Sequence, residues 1–172
     1  SLMAGYGLPN EQHLSVVLQK SLEFDGHNIE IINGSVSGST SAGGLNIAEW
    51  TLSENNIDLM ILCLGANDML RGINPKETKN NLIEIIKIAK SKNIKVIIAG
   101  MIAPTSHGSN YKKSFDKIFE DLSNEYELQL IPFLLEGVAQ KPEFNLSDGM
   151  HPNDKGTIII GKTLKEAILK NL

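Results

Sequence analysis

The sequence lacks several things, and each shortage removes a class of protein. Its single cysteine, Cys63, excludes an internal disulfide, and its place inside an apolar run suits a small core residue. No apolar run approaches the roughly 18 residues of a membrane-spanning helix. Positive charge is in the minority, with 16 Lys and Arg against 20 Asp and Glu, and the net charge is −4. No dense basic block occurs, so a nucleic-acid surface is not expected. The lysines of residues 76–95 are spaced as the solvated face of a helix. No repeat, low-complexity tract or linker interrupts the chain. With 41% apolar and 21% charged residues, the 172 residues suit one domain, 1–172, with a substantial core.

What is present alternates. Leu59 to Leu64 is apolar at every position and runs into Gly65-Ala66-Asn67-Asp68, as a strand covered on both faces runs into a polar loop. Ile29–Ile32, Lys95–Gly100 and Gln129–Pro132 read as further strands. Leu14, Val17, Leu18 and Leu22 recur at helical spacing, closed by Asp25-Gly26. A second helix is expected over Ser41–Asn55. Asn74-Pro75-Lys76-Glu77 supplies a cap, a proline at the first helical position and an early acid for a third. A fourth runs from about Tyr111 to Tyr126, and a fifth follows a cap at Asn153 or Asp154. Strands alternating with helices imply a parallel sheet with helices on both faces. On that layout Ser37-Gly38, Asn67 and Asp148-His151 all follow strands, where α/β sheets bind ligands.

Three features can carry chemistry. Asp148 and His151 are three apart, so both can face one way. A carboxylate beside an imidazole holds Nδ1–H, fixes the tautomer and stabilises the imidazolium. The plainer reading is a turn aspartate beside Gly149 and a surface histidine. No third or fourth ligand stands at metal spacing, so no metal is expected. Asn67 offers two amide donors for a developing negative charge, or it simply closes the strand in an Asn-Asp turn. Asp68 is expected to anchor that loop. Ser1, Ser35, Ser37, Ser39, Thr40 and Ser41 are possible nucleophiles, and no Gly-x-Ser-x-Gly elbow selects among them. His13, His27 and His107 lack a comparable carboxylate and are expected at the surface.

Taken in order, Ser1-Leu2-Met3-Ala4-Gly5-Tyr6-Gly7, Ser35-Val36-Ser37-Gly38, Gly65-Ala66-Asn67-Asp68 and Asp148-Gly149-Met150-His151-Pro152 resemble the blocks of the SGNH (GDSL-type) hydrolases. Leu70-Arg71-Gly72 and residues 133–139 resemble the bacterial arylesterase, lysophospholipase and thioesterase branch. The resemblance covers nearly the whole chain. It implies a three-layer α/β/α sandwich around a parallel, flavodoxin-like sheet. It also implies Ser1 as nucleophile, His151 as general base and Asp148 as the acid that orients it. Gly38 and Asn67, with the Ser1 N–H, would form the oxyanion hole. Met69, Leu70 and Ile73 would lie beside an acyl-binding groove.

In the family a Gly-Asp pair at the end of an apolar strand precedes the serine. Both are absent here, so the first strand is expected upstream in the natural protein, and Ser1 is expected beside His151. The expected activity is hydrolysis of a small acyl ester (a lysophospholipid, aryl ester or acyl thioester), with no cofactor. Rival readings are a carbohydrate O-deacetylase with the same residues and a non-catalytic, flavodoxin-like ligand-binding domain. The resemblance suggests a periplasmic or exported protein, with the cytoplasm also open.

Overall fold

The computed structural model describes residues 1–53 and 56–172, so Glu54 and Asn55 of the expected second helix lie outside the described residues. In chain order the elements are helices α1 (Leu14–Phe24) and α2 (Ser41–Thr51), strand β1 (Leu59–Leu62), helices α3 (Ala66–Leu70) and α4 (Pro75–Ser91), strand β2 (Lys95–Ala99), helix α5 (Ser109–Tyr126), strand β3 (Gln129–Ile131) and helix α6 (Asp154–Leu169). They fall into two compact units, residues 38–133 and residues 1–37 with 134–172.

The 38–133 unit is a mixed α/β assembly on a three-stranded parallel sheet, ordered β1-β2-β3. Leu59 stands opposite Lys95 and Leu62 opposite Ile98, while Ile97 pairs with Gln129 and Ala99 with Ile131. β2 is the middle strand, and Val96, Ile97, Ile98 and Ala99 are all buried. β1 is an edge of this sheet, so only Leu62 is fully covered and residues 59–61 are half-buried. The continuous burial expected from its apolar run is therefore not reached. Leu82, Ile85, Ile86 and Ala89 of α4 and Phe115, Ile118, Phe119 and Leu122 of α5 are buried at helical spacing. α4 begins as its sequence dictates. Asn74 accepts from the Lys76 N–H at 3.0 Å, and Pro75 opens the helix. It ends where Asn93 turns left-handed (φ +59°) and Ile94 N–H returns to Ala89 O at 3.0 Å.

In the other unit α1 packs on α6. Leu14, Leu18 and Leu22 of α1 and Ile160, Leu164, Ala167 and Ile168 of α6 are buried. Gly161 faces α1, and a Cβ there would sit in ordinary contact with Val17 Cγ1 at 3.6 Å. Lys165 fastens the pair, donating to Ser21 Oγ at 2.9 Å and pairing with Asp25. Residues 29–32, expected as a strand, join no ladder. The Gln19 side chain takes the place of a neighbouring strand: its Nε2 donates to Ile29 O and its Oε1 accepts from Ile31 N–H, both at 2.7 Å. Asn153, not Asp154, caps α6 by accepting from Gly156 N–H at 3.1 Å.

Within the 38–133 unit, Asp68 is 1% exposed and holds distant segments together. Its carboxylate accepts from Ser41 N–H at 2.7 Å, from Ser41 Oγ, and from Thr78 Oγ1 at 3.2 Å. Asn81 Nδ2 adds a bond to Ser41 Oγ at 2.9 Å. The expected anchoring role is what the geometry provides. Asp68→Ala leaves these buried donors unmatched and should cost about 3 kcal/mol of stability, measurable by urea unfolding. An unchanged midpoint would contradict the anchoring role.

Candidate active site

The loop 145–153 is closed by its own backbone and one buried amide. Buried Asn145 donates from Nδ2 to Val138 O and Lys141 O, both at 2.8 Å. Asn145 and Pro152 form an antiparallel bridge, and Leu146 N–H donates to His151 O at 2.7 Å. Asn153 N–H then donates to Phe144 O at 3.0 Å. The result is a short closed turn at the start of α6, with Asp148 near its tip. Nothing in the local pattern around Asn145 marked it as important; its partners are backbone carbonyls that only the folded turn supplies.

Inside this turn Asp148 Oδ1 accepts from the N–H groups of Met150 at 2.9 Å and His151 at 3.0 Å. Its Oδ2 lies 2.7 Å from His151 Nδ1. The backbone N–H of His151 is the chief cause, ahead of that of Met150 and the imidazole bond, that lowers the Asp148 carboxyl to about 2. Asp148 is therefore a carboxylate at any working pH. An ionised carboxylate only accepts, so Nδ1 carries the proton and Nε2 presents its lone pair in the neutral ring.

His151 Nε2 lies 2.9 Å from Ser1 Oγ. The nitrogen is the acceptor, so the Ser1 hydroxyl donates. The Tyr6 ring stands beside the imidazole, with centroids 4.4 Å apart and planes tilted by 37°. The 1–8 segment carrying Ser1 and Tyr6 is a series of turns, with Tyr6 N–H on Ser1 O at 3.2 Å and Leu8 N–H on Gly5 O at 3.1 Å. Ser1 thus stands beside His151, as expected, and Ser1, His151 and Asp148 form one line of hydrogen bonds. Such a line can move a proton off a hydroxyl while holding the resulting imidazolium. The other histidines do not compete, although His13 and His27 are half-buried and only His107 is exposed as expected: the His13 ring lies against Gly5, with its Nε2 3.0 Å from Leu8 O.

Gly38, Asn67, Met69, Leu70 and Ile73 belong to the 38–133 unit. Asn67 is not in a loop but in the first turn of α3, whose N-terminus is Gly65 at φ +111°. A side chain on Gly65 would be strained there and would press on Phe119 Cζ at 3.3 Å, so glycine is required at this junction. Asn67 Nδ2 donates to Ser39 O at 3.1 Å, and Gly38, at φ +77°, accepts through its carbonyl from Arg71 Nη2 at 2.9 Å. Met69 and Leu70 lie on α3 rather than in the expected loop. Met69 and Ile73 are half-buried, Leu70 is exposed, and Ile73 O accepts from Tyr111 Oη at 2.9 Å. Ser35 and Ser37 are exposed and Ser39 half-buried, whereas Ser41 is committed to Asp68. Desolvation pushes the Cys63 thiol up to about 11, which leaves it a poor nucleophile.

Residues 1–157 match the GDSL-like lipase/acylhydrolase family. An arylesterase of Vibrio mimicus is 35% identical over 172 residues, covering 100% of this chain and 86% of that protein. The esterase TesA of Pseudomonas aeruginosa is 34% identical over 152 residues, 88% of this chain and 76% of its own length. The crystal structure of the psychrotrophic esterase EstA from a Pseudoalteromonas species, inhibited by monoethylphosphonate, superposes with a TM-score of 0.93 at 30% identity, covering 98% of this chain and 92% of EstA. The chain belongs to the GDSL-like lipase/acylhydrolase family, the SGNH hydrolases, and it is a hydrolase acting on ester bonds. Among the described residues no helix is long and apolar enough to cross a membrane.

The Asp148 bonds predict a pH dependence of stability. Its carboxyl is lowered from 3.8 to about 2 on folding, so the unfolded chain takes up the proton first as pH falls. The contribution is full above the unfolded value and is lost as pH falls through the folded one. Unfolding of wild type and Asp148→Asn should show a wild-type advantage that is full above about pH 4, falls between about pH 4 and about pH 2, and is gone below about pH 2. A pH-independent difference would contradict this.

Proposed function

We propose that the protein is a serine esterase that hydrolyses lysophospholipids, aryl esters or acyl thioesters through an acyl-enzyme on Ser1. The observation that carries this reading is the continuous line from Ser1 Oγ through His151 to ionised Asp148. Ser1 Oγ attacks the acyl carbonyl carbon while its proton passes to His151 Nε2, and the carbonyl electron pair moves onto oxygen. Asp148 holds the imidazolium that results. Collapse of the tetrahedral intermediate breaks the bond to the alcohol, phenol or thiol, which leaves with the proton from Nε2. Water then attacks the acyl carbon and gives a proton to Nε2; the bond from that carbon to Ser1 Oγ breaks, Oγ takes the proton back from Nε2, and the carboxylic acid leaves.

The oxyanion donors in this reading are the N–H groups of Gly38 and Ser1 and the Asn67 amide, as in the family resemblance. An amide has two N–H donors, and the Ser39 carbonyl occupies one on Asn67, so the second can serve the oxyanion. Met69, Leu70 and Ile73 form the acyl-binding side, with exposed Leu70 as the principal contact. The reaction requires no metal or organic cofactor.

Kinetics on a series of p-nitrophenyl esters of rising acyl length test the reading. His151→Ala should abolish turnover in a folded protein. Asn67→Ala should lower kcat by roughly 10²–10³ with little change in KM, the scale for one lost oxyanion donor. Leu70→Ser with Ile73→Ser should weaken long-chain esters more than acetates. Near-normal turnover in folded His151→Ala would contradict the proposal. A strong preference for acetylated sugars would replace it with the deacetylase.

A further inference from the structure

Neither the family resemblance nor the reaction scheme gives Arg71 a task, although its side chain makes a specific bond. Its Nη2 donates to Gly38 O at 2.9 Å. We propose that Arg71 is a positioning residue that sets the direction of the Gly38 N–H. This deepens the reading above and rests on Gly38 being an oxyanion donor.

The short helix α3 and Arg71, which closes it, face the backbone around Gly38. Asn67 and Arg71 are four apart, so they project from one face of this turn, and Asp68 projects from another. The three side chains grip consecutive points of one backbone stretch. Arg71 holds Gly38 O, Asn67 holds Ser39 O at 3.1 Å, and Asp68 holds Ser41 N–H at 2.7 Å. The Asp68 contact is buried, the Asn67 contact half-buried and the Arg71 contact exposed. On the other side of Gly38, residues 32–37 are exposed. Gly38 is therefore where the chain passes from solvent-exposed residues into the stretch held by Arg71, Asn67 and Asp68.

A glycine at φ +77° has no side chain to limit its torsions. Holding Ser39 alone leaves the plane between residues 38 and 39 free to turn. Pinning the Gly38 carbonyl fixes that plane and with it the Gly38 Cα, so the N–H can swing only about φ. An oxyanion donor acts through preorganised direction, and a misplacement on the order of 1 Å can cost roughly 10²-fold in rate. A guanidinium suits the task because it is always charged and rigid, and its bond to a carbonyl is charge-assisted.

The test combines kinetics on a p-nitrophenyl ester, inhibition by an alkylboronic acid, whose serine adduct is tetrahedral, and thermal unfolding. Arg71→Met should lower kcat by roughly ten- to a hundredfold, hold KM within about twofold, and weaken the boronic acid by a similar factor. The unfolding temperature should not move, because the bond is exposed. Arg71→Lys, which can still donate one bond, should recover most of kcat. Three outcomes overturn the inference: kcat unchanged in Arg71→Met, KM raised with kcat kept (a substrate contact), or kcat lost together with thermal stability (a structural tie). Ser1→Ala separates the levels. If it retains turnover, the proposed function itself fails; if it is inactive while Arg71→Met is normal, only the role of Arg71 fails.

Discussion

The bond between Asp148 and His151 is the constraint on which the site depends. An imidazole serves as a base for Ser1 only if its proton sits on the far nitrogen, and a neutral ring in water chooses its tautomer with little bias. Here the choice is made by a carboxylate that is itself fixed. Two backbone N–H groups, of Met150 and His151, hold Oδ1 at 2.9 and 3.0 Å and leave Oδ2 for the ring. The carboxylate is held chiefly by these backbone groups, and the imidazole bond adds to them. The turn that contains both is closed by buried Asn145 and by the Leu146–His151 backbone bond, so the geometry reaches back into the core before α6 begins.

The 38–133 unit applies the same idea to backbone dipoles. Asp68 draws Ser41 and Thr78 together inside the unit, while Asn67 of α3 and Arg71, the residue that closes it, reach outward to the carbonyls of Ser39 and Gly38. This short segment therefore has one buried face and one that meets the 38–39 backbone. Its five residues are too few to be stable alone, and the buried carboxylate supplies what helix propensity does not. A change at Asp68 is felt in stability, whereas changes on the outward face should be felt in rate.

Much of this was legible in the sequence, for reasons that differ by element. α4 and α6 carry local instructions: Asn74-Pro75, the buried spacing of Leu82, Ile85, Ile86 and Ala89, and the Asn153 cap. The i, i+3 spacing of Asp148 and His151 is also local, so the pair could be read before any fold was known. Residues 29–32 misled because β-branched residues signal an extended chain and not its partner. The partner is the side chain of Gln19, ten residues back in a helix. Asn67-Asp68 looked like a turn because five helical residues give no periodicity. The task of Asn145 was invisible, since its partners are carbonyls brought near by the turn. Arg71 was visible only as part of a family block, because its acceptor lies 33 positions away.

The most direct test of the account is the site of covalent capture by an ethylphosphonate ester, whose tetrahedral phosphorus resembles the acyl-transfer intermediate. After complete inactivation, intact mass and peptide mapping locate the adduct. One ethylphosphonyl group per chain is expected, on Ser1, formed far more slowly in His151→Ala. An adduct on any other residue of the inactivated protein, or undiminished labelling of Ser1 in His151→Ala, would contradict it.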